Sequence, residues 1–345
     1  MSDTLAVLGF FLCGAVIFLA GGRLSLYGER IGELSGWGGA WVGLILMASV
    51  TSLPELLVGI SSVALVGSPD LAVGDVLGSC AINLLILASL DAFVPRRRRL
   101  FGIASNSHVL AAALGIVLLC AVGIGLLTRD ALAITPWIGA SSLIFLVLYL
   151  ASVRLMFRHA RGLRGDTTQP ALDEELEPEP VTGILRLSPR QLGVRYSLFA
   201  VVVVVAAVLL PPTAEAVVRM TGLQESFVGT VFLALSTSLP ELAVSLKAVR
   251  IGAIDLAVGN ILGSNLFNIL ILAFDDLAYT QGLLLADASA SHIFTVVTVI
   301  AMSAVAIIGL TQHQPRKRFV LAWDAVLILV AYIGNAVLLL TIQPR

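Results

Sequence analysis

Thr51-Ser52-Leu53-Pro54-Glu55-Leu56 recurs without a change as Thr237-Ser238-Leu239-Pro240-Glu241-Leu242. Each copy leads into a second shared stretch. The first runs from Asp70-Leu71-Ala72-Val73-Gly74 to Gly78-Ser79-Cys80-Ala81-Ile82-Asn83, and the second from Asp255-Leu256-Ala257-Val258-Gly259 to Gly263-Ser264-Asn265-Leu266-Phe267-Asn268. A repeat this widely spaced is no solenoid unit and reads as a duplicated half-protein. Each copy sets Thr, Ser, Glu, Ser and Asn into strongly apolar sequence. A carboxylate near the centre of a membrane span costs roughly 2.5 kcal/mol or more. Keeping that cost twice points to an ion, a partner or water at those positions.

The surrounding chain explains why a membrane is the right frame. Its 345 residues are 58% hydrophobic and 12% charged, whereas soluble domains carry roughly 25% charged residues. This composition predicts an integral membrane protein. The net charge of −1 and the lack of a basic, aromatic-interleaved face give nucleic acid no footing. Cys13, Cys80 and Cys120 sit in apolar runs with no C-x-x-C spacing, so neither a disulfide framework nor a zinc site is expected. The first apolar run has no cation before Arg23 and reads as a retained helix rather than a cleaved signal peptide.

Apolar runs of about 20 residues are candidate spans. Ten are expected, at 5–22, 36–66, 70–92, 106–127, 134–156, 196–217, 224–249, 255–279, 287–310 and 319–341. The runs 36–66 and 224–249 are the least regular because Pro54 and Pro240 interrupt them. With the N-terminus outside, the cytoplasmic loops hold all of the 21 Lys and Arg residues except Arg129, Arg219 and Arg345. That asymmetry places both termini on the extracytoplasmic side of the cell membrane. The first motif then lies on the second helix and the second on the seventh. The two copies cross in opposite directions, as in the inverted repeats of many secondary transporters. The expected fold is an all-α integral membrane protein of ten transmembrane helices in two inverted five-helix halves, residues 1–157 and 195–345. Residues 158–194, with Asp173, Glu174, Glu175, Glu177 and Glu179, read as a solvated acidic cytoplasmic linker.

Within the motif, proline decides the local structure. Pro54 lacks an N–H and crowds the Val50 carbonyl, and Pro240 does the same to Ser236. The helix kinks or partly unwinds, freeing carbonyls near residues 48–50 and 234–236. Such backbone is tolerated at membrane depth only when buried in protein or lining a cavity. Thr51 and Glu55 share a helix face with Ser52 beside it, and Ser79 and Asn83 stand one turn apart on the next helix. Thr237, Ser238, Glu241, Ser264 and Asn268 repeat the set. Every potential ligand is oxygen, which suits hard cations such as Ca2+ or Na+ and not zinc or copper. Taken singly, the hydroxyls and glycines also fit i−4 back-bonding and close helix packing. Two glutamates at matching places are harder to explain without an ion.

Other polar residues carry weaker signals. Asp75, four residues before Ser79 and opposite Asn260 in the repeat, is a possible additional site acid or a solvated helix-start residue. Asp91 and Asp276 read as interfacial. Asp70 and Asp255 read as helix N-caps. His108, His159, His292 and His313 have no i, i+4 partner and read as interfacial or loop residues.

The paired T-S-L-P-E elements, each followed by a G-S-x-x-x-N helix, resemble the cation/calcium antiporter superfamily, and most closely its sodium/calcium exchanger branch. The resemblance covers both repeats and, through the helix count, nearly the whole chain. It implies metal ligands at Ala48 (carbonyl), Thr51, Ser52, Glu55, Ser79 and Asn83, and at Ala234 (carbonyl), Thr237, Ser238, Glu241, Ser264 and Asn268. Glu55 and Glu241 would bridge calcium and sodium positions, and helices 1 and 6 would slide past the repeat helices. Two residues depart from the family pattern. Asn268 stands where several members have Asp, and Asp75 where the motif usually has Asn. The third site carboxylate, the sodium stoichiometry and any potassium dependence are left open, as is whether Asp75 compensates.

The expected function is secondary active exchange of Ca2+ for Na+ by alternating access. The protein would be no enzyme and need no cofactor. Calcium and sodium are the cargo, and the bilayer the expected partner. Calcium/proton exchange is the alternative, and a passive cation channel a more distant one. An intramembrane protease is disfavoured: no H-E-x-x-H occurs, and Ala72-Val73-Gly74-Asp75 lacks the first Gly of a G-x-G-D motif.

Overall fold

The computed structural model describes residues 3–34, 48, 50–94, 98–131, 133–166, 187–312 and 319–342. In chain order the helices are α1 (Asp3–Leu34), α2 (Leu53–Ser61, widening into a π-helix over Ser62–Val66), α3 (Pro69–Leu90), α4 (Leu100–Ile103), α5 (His108–Thr128) and α6 (Ala140–Asp166). They continue as α7 (Pro189–Thr221), α8 (Glu225–Thr237, with a π-helix at Val228–Leu233), α9 (Leu239–Arg250), α10 (Ile254–Ala278), α11 (Leu284–Asp287), α12 (His292–Thr311) and α13 (Trp323–Thr341). A short hairpin, β1 (Ala133–Thr135) with β2 (Ile138–Gly139), precedes α6. The run expected as helix from 134 thus begins as a hairpin, and its helix starts at Ala140.

Among the described residues, eight helices are long and apolar enough to cross a membrane, and α8 with α9, bent by 46°, would make a ninth as one broken span. Of the expected span 36–66 only residue 48 and residues 50–66 are described. The acidic run of the expected linker also lies outside them. The linker's edges are helical, since α6 runs on to Asp166 and α7 begins at Pro189.

α3 and α10, the helices that follow the two motifs, form the centre and are the most deeply buried spans. Ser68 accepts a hydrogen bond from the Leu71 N–H at 3.1 Å and Pro69 opens the helix, so α3 starts with its first turn satisfied. One large apolar core joins α3 and α10 to α5, α6, α12 and α13. α1 and α7 pack along each other and belong to separate apolar clusters with α2 and α8. Their outer faces are apolar and exposed, as at Leu8, Phe11, Leu12 and Leu19 on α1 and Val201, Val205 and Leu209 on α7. Val326, Val330, Ile333 and Val337 form the same kind of stripe on α13. A continuous surface of this kind suits hydrocarbon, in which helices satisfy their own backbone groups.

Aspartates expected as local caps serve the opposite half instead. Asp70 Oδ1 accepts from Ser289 N at 2.6 Å and lies 2.9 Å from His292 Nε2, at the start of α12. Asp255 Oδ1 accepts from Ser105 N at 2.7 Å and lies 3.0 Å from His108 Nε2, at the start of α5. Both histidines are buried, which replaces their reading as interfacial or loop residues. Asp91 accepts from Leu100 N at 2.8 Å and Ala322 N at 2.8 Å. Its counterpart Asp276 accepts from Leu284 N at 3.0 Å and Gly139 N at 2.9 Å. Carboxylates at helix N-termini satisfy orphan N–H groups and complement the helix dipole. Here they also stitch the halves together. Arg99, counted among the loop cations, is buried in an ion pair with Asp324 beneath Trp323.

Candidate cation-binding site

Proline sets the site's backbone. Pro54 and Pro240 occupy the first turns of α2 and α9, where a missing N–H costs nothing. The residues before those helices leave the helical geometry: Ser52 has φ −86°, ψ 13° and Ser238 φ −82°, ψ 5°. Neither serine caps its own helix. Ser52 Oγ donates across to Glu241 Oε1 at 3.1 Å, and Ser238 Oγ donates across to Glu55 Oε1 at 3.4 Å. Each glutamate stands in the first turn of its helix, where the positive end of the dipole favours negative charge.

The threonines tighten the same spot. Thr51 Oγ1 donates to Ala48 O at 3.1 Å and lies 3.4 Å from Ser264 Oγ. Ser264 Oγ in turn lies 3.4 Å from Glu241 Oε1. Thr237 Oγ1 lies 3.2 Å from both Ala234 O and Ser79 Oγ, and 3.0 Å from Asp75 Oδ1. The two alanine carbonyls also accept from the N–H groups of Ser52 and Ser238, at 2.9 and 3.0 Å. They therefore remain in the helical ladder, with a lone pair in reserve, rather than being wholly freed by the prolines.

Glycine lets these helices meet. A Cβ at Gly78 would sit 2.6 Å from Thr230 Cα and 2.7 Å from Ala234 Cβ, and one at Gly74 would sit 3.0 Å from Gly229 Cα. α3 therefore rests on the backbone of α8, which carries Ser79 to Thr237. Gly263 plays the matching part against Ala48, at 3.2 Å.

The structure brings all twelve expected ligand positions into the buried centre, together with Asp75. Glu55 Oε2, Glu241 Oε2, Asp75 Oδ2 and Asn83 Oδ1 are buried with no hydrogen-bond partner among the described residues. Both side-chain polar atoms of Asn268 lack an oxygen or nitrogen partner. Among the described residues, no basic side chain forms an ion pair with these carboxylates. Buried polar atoms are ordinarily paired, and isolated buried charges neutralise or take a counter-ion. The described residues hold no group of three or more His, Cys, Asp or Glu suited to a metal. An ion here would rest on few carboxylates and many neutral oxygens, the chemistry of a hard, exchangeable cation.

Asn265, Ser245 and Asp275 were not among the expected site residues. Asn265 accepts from Asn83 Nδ2 at 3.0 Å and donates to Cys80 O at 3.2 Å, bridging α3 and α10 behind the ligands. Asn260 donates to Ser245 Oγ at 3.3 Å. Asp275 is wholly buried on α10. Its signal was present: it is an acid in apolar sequence whose counterpart in the other repeat is Leu90.

Comparison with known proteins bears on this arrangement. The family described as sodium/calcium exchanger protein matches residues 5–157 and 194–341. The chain is 34% identical over 233 residues to the inner membrane protein YrbG of Escherichia coli (strain K12), covering 67% of this chain and 66% of that protein. It is 29% identical over 301 residues to the putative antiporter CaxA of Alkalimonas amylolytica, covering 86% and 87%. Two solved structures share the fold. An H+/Ca2+ exchanger, CAX, superposes with a TM-score of 0.72 at 16% identity over 99% of this chain and 82% of that one. The sodium-calcium exchanger NCX_Mj superposes with a TM-score of 0.61 at 20% identity over 99% and 100%. This chain is therefore a multi-pass membrane protein that belongs to the sodium/calcium exchanger family, within the cation/calcium antiporter superfamily.

Proposed function

We propose that this protein is a secondary active antiporter that exchanges Ca2+ for Na+ across the cytoplasmic membrane by alternating access. The observation that carries the reading is the reciprocal crossing of the motifs. Each buried glutamate is held by the serine of the other copy, at 3.1 and 3.4 Å. Glu55 and Glu241 supply the charge that offsets one Ca2+ or two Na+. Thr51, Ser52, Ser79, Asn83, Thr237, Ser238, Ser264 and Asn268, with the carbonyls of Ala48 and Ala234, supply neutral oxygens. Sodium and calcium compete for these ligands, so each drives the other out. The architecture is ten spans in two inverted five-helix halves with both termini extracytoplasmic. α1 and α7, whose apolar clusters are separate from the central core, are the pair that moves.

Exchange of Ca2+ for H+ is the second reading. The neutral Asn268 favours it, as does the fold shared with an H+/Ca2+ exchanger. In that case protons replace sodium on the same carboxylates. Uptake of 45Ca2+ into Na+-loaded proteoliposomes, with a pH-gradient arm alongside, separates the two. The expected result is uptake that requires internal Na+ and falls at least ~100-fold, about 2.7 kcal/mol, in Glu55→Gln. Uptake driven by the pH gradient alone moves the assignment to the proton reading.

A further inference from the structure

The two ends of the central site are not chemically equivalent. Gly59 lies one turn past Glu55 on α2, and Asp75 lies one turn before Ser79 on α3. Both are displaced toward the α2–α3 turn. α8 and α10 reach that same turn: Ser68 hydrogen-bonds Glu225, and a Cβ at Gly67 would sit 3.3 Å from Gln281 Nε2. Asp275, seven residues beyond Asn268 on α10, is at this end. Its carboxylate fills the space left by the missing side chain of Gly59, where a Cβ would lie 2.7 Å from Asp275 Cγ.

Asp275 is wholly buried, and among the described residues neither carboxylate oxygen has a hydrogen-bond partner. Asp75 is likewise buried. Its Oδ1 faces Thr237 at 3.0 Å, and its Oδ2 is unpartnered. Asp275 fills the place of Gly59, whose counterpart Ser245 touches Asn260, the counterpart of Asp75, and neither acid has a basic partner among the described ion pairs. Two more buried hydroxyls stand unpartnered toward this end: Ser62, three residues past Gly59, and Thr230, against Gly74.

At the opposite end the corresponding positions carry no charge. Ser245 replaces Gly59, Asn260 replaces Asp75, and Leu90 replaces Asp275. Asn260 Nδ2 donates to Ser245 Oγ at 3.3 Å. The same backbone frame thus tolerates a neutral pair, and folding alone does not require the acids. An unpaired buried carboxylate is costly, and two together more so. A cation between them removes both penalties, and carboxylate and hydroxyl oxygens suit a hard divalent ion.

We propose that Asp75 and Asp275 form a second station for a hard divalent cation of the Ca2+ class, between the central carboxylates and the α2–α3-turn face. Thr237, shared by Asp75 and the centre, links the two stations. On the orientation proposed above, this station faces the extracytoplasmic side. Only that direction rests on the proposed function; the binding itself does not.

Equilibrium binding of 45Ca2+ to the purified full-length protein tests it. In Glu55→Gln/Glu241→Gln, one class of Ca2+ sites is expected to survive. Adding Asp275→Asn weakens that class at least roughly tenfold, and so does adding Asp75→Asn, which copies the Asn260 of the other half. Gly59→Ala keeps every carboxylate but displaces Asp275, and weakens the class as well. Asp275→Asn removes a buried unpaired charge, so an undiminished melting temperature identifies the loss as one of binding. No Ca2+ bound by Glu55→Gln/Glu241→Gln, or binding untouched by Asp275→Asn, overturns the station. Wild-type binding that ignores Glu55→Gln/Glu241→Gln but disappears with Asp275→Asn overturns the central site instead and leaves the station standing.

Discussion

At the scale of the residue, the serine before each leucine-proline pair is the informative group. In a soluble helix it would cap its own N-terminus. Here Ser52 and Ser238 spend their hydroxyls on the opposite glutamate. A hydrogen bond to a charged group contributes about 1.5–3 kcal/mol. Ser52→Ala and Ser238→Ala are each expected to weaken Ca2+ binding by roughly tenfold or more, and by similar factors, measured by 45Ca2+ binding to the purified protein. A loss confined to one of them would break the reciprocity on which the site is built. The residue identities were readable in the motif. Their direction was not, because a serine at a helix break serves its own helix or a neighbour equally well until the neighbour is placed.

At the scale of the element, close approach is what matters. α3 touches the backbone of α8 only because Gly74 and Gly78 have no side chain. Gly78→Ala places a methyl group 2.6 Å from Thr230 Cα. Overpacking of this kind costs about 1–3 kcal/mol. The expected outcome is a lower melting temperature in detergent together with slower 45Ca2+ exchange, since Ser79 moves away from Thr237. The Pro-broken helices and glycine-rich central helices were expected from sequence. The π-helical turns at Ser62–Val66 and Val228–Leu233 were not. Such turns add one residue per hydrogen-bonded ring, and nothing in hydrophobic periodicity marks so local a change. The hairpin before α6 was hidden for a related reason: Ile134 and Ile138 are as apolar as a helix end.

At the scale of the whole molecule, the halves are joined at their rims by aspartates as well as at the centre by glutamates. Asp70 reaches His292 and Asp255 reaches His108. Each of these acids also accepts a backbone N–H at the start of a helix of the other half. Asp70→Asn and Asp255→Asn should each lower stability by about 1–2 kcal/mol. The double variant should lose the sum, because the two sites share no partner. Thermal unfolding of the three variants checks this. A much smaller loss in either single variant would mean that this aspartate contributes little to joining the halves.

The sequence by itself determined that the chain is a membrane protein, that it is a duplicated half, and which oxygen-bearing residues line its centre. Those features follow from local chemistry: apolar run length, proline within a helix, and polar groups too costly to bury idly. Only the tertiary structure decided which serine serves which glutamate, that Asp70 and Asp255 cap helices of the other half, and that Asp275 fills the space at Gly59. These are contacts between residues more than 140 positions apart. Their partners are selected by helix packing rather than by neighbours along the chain.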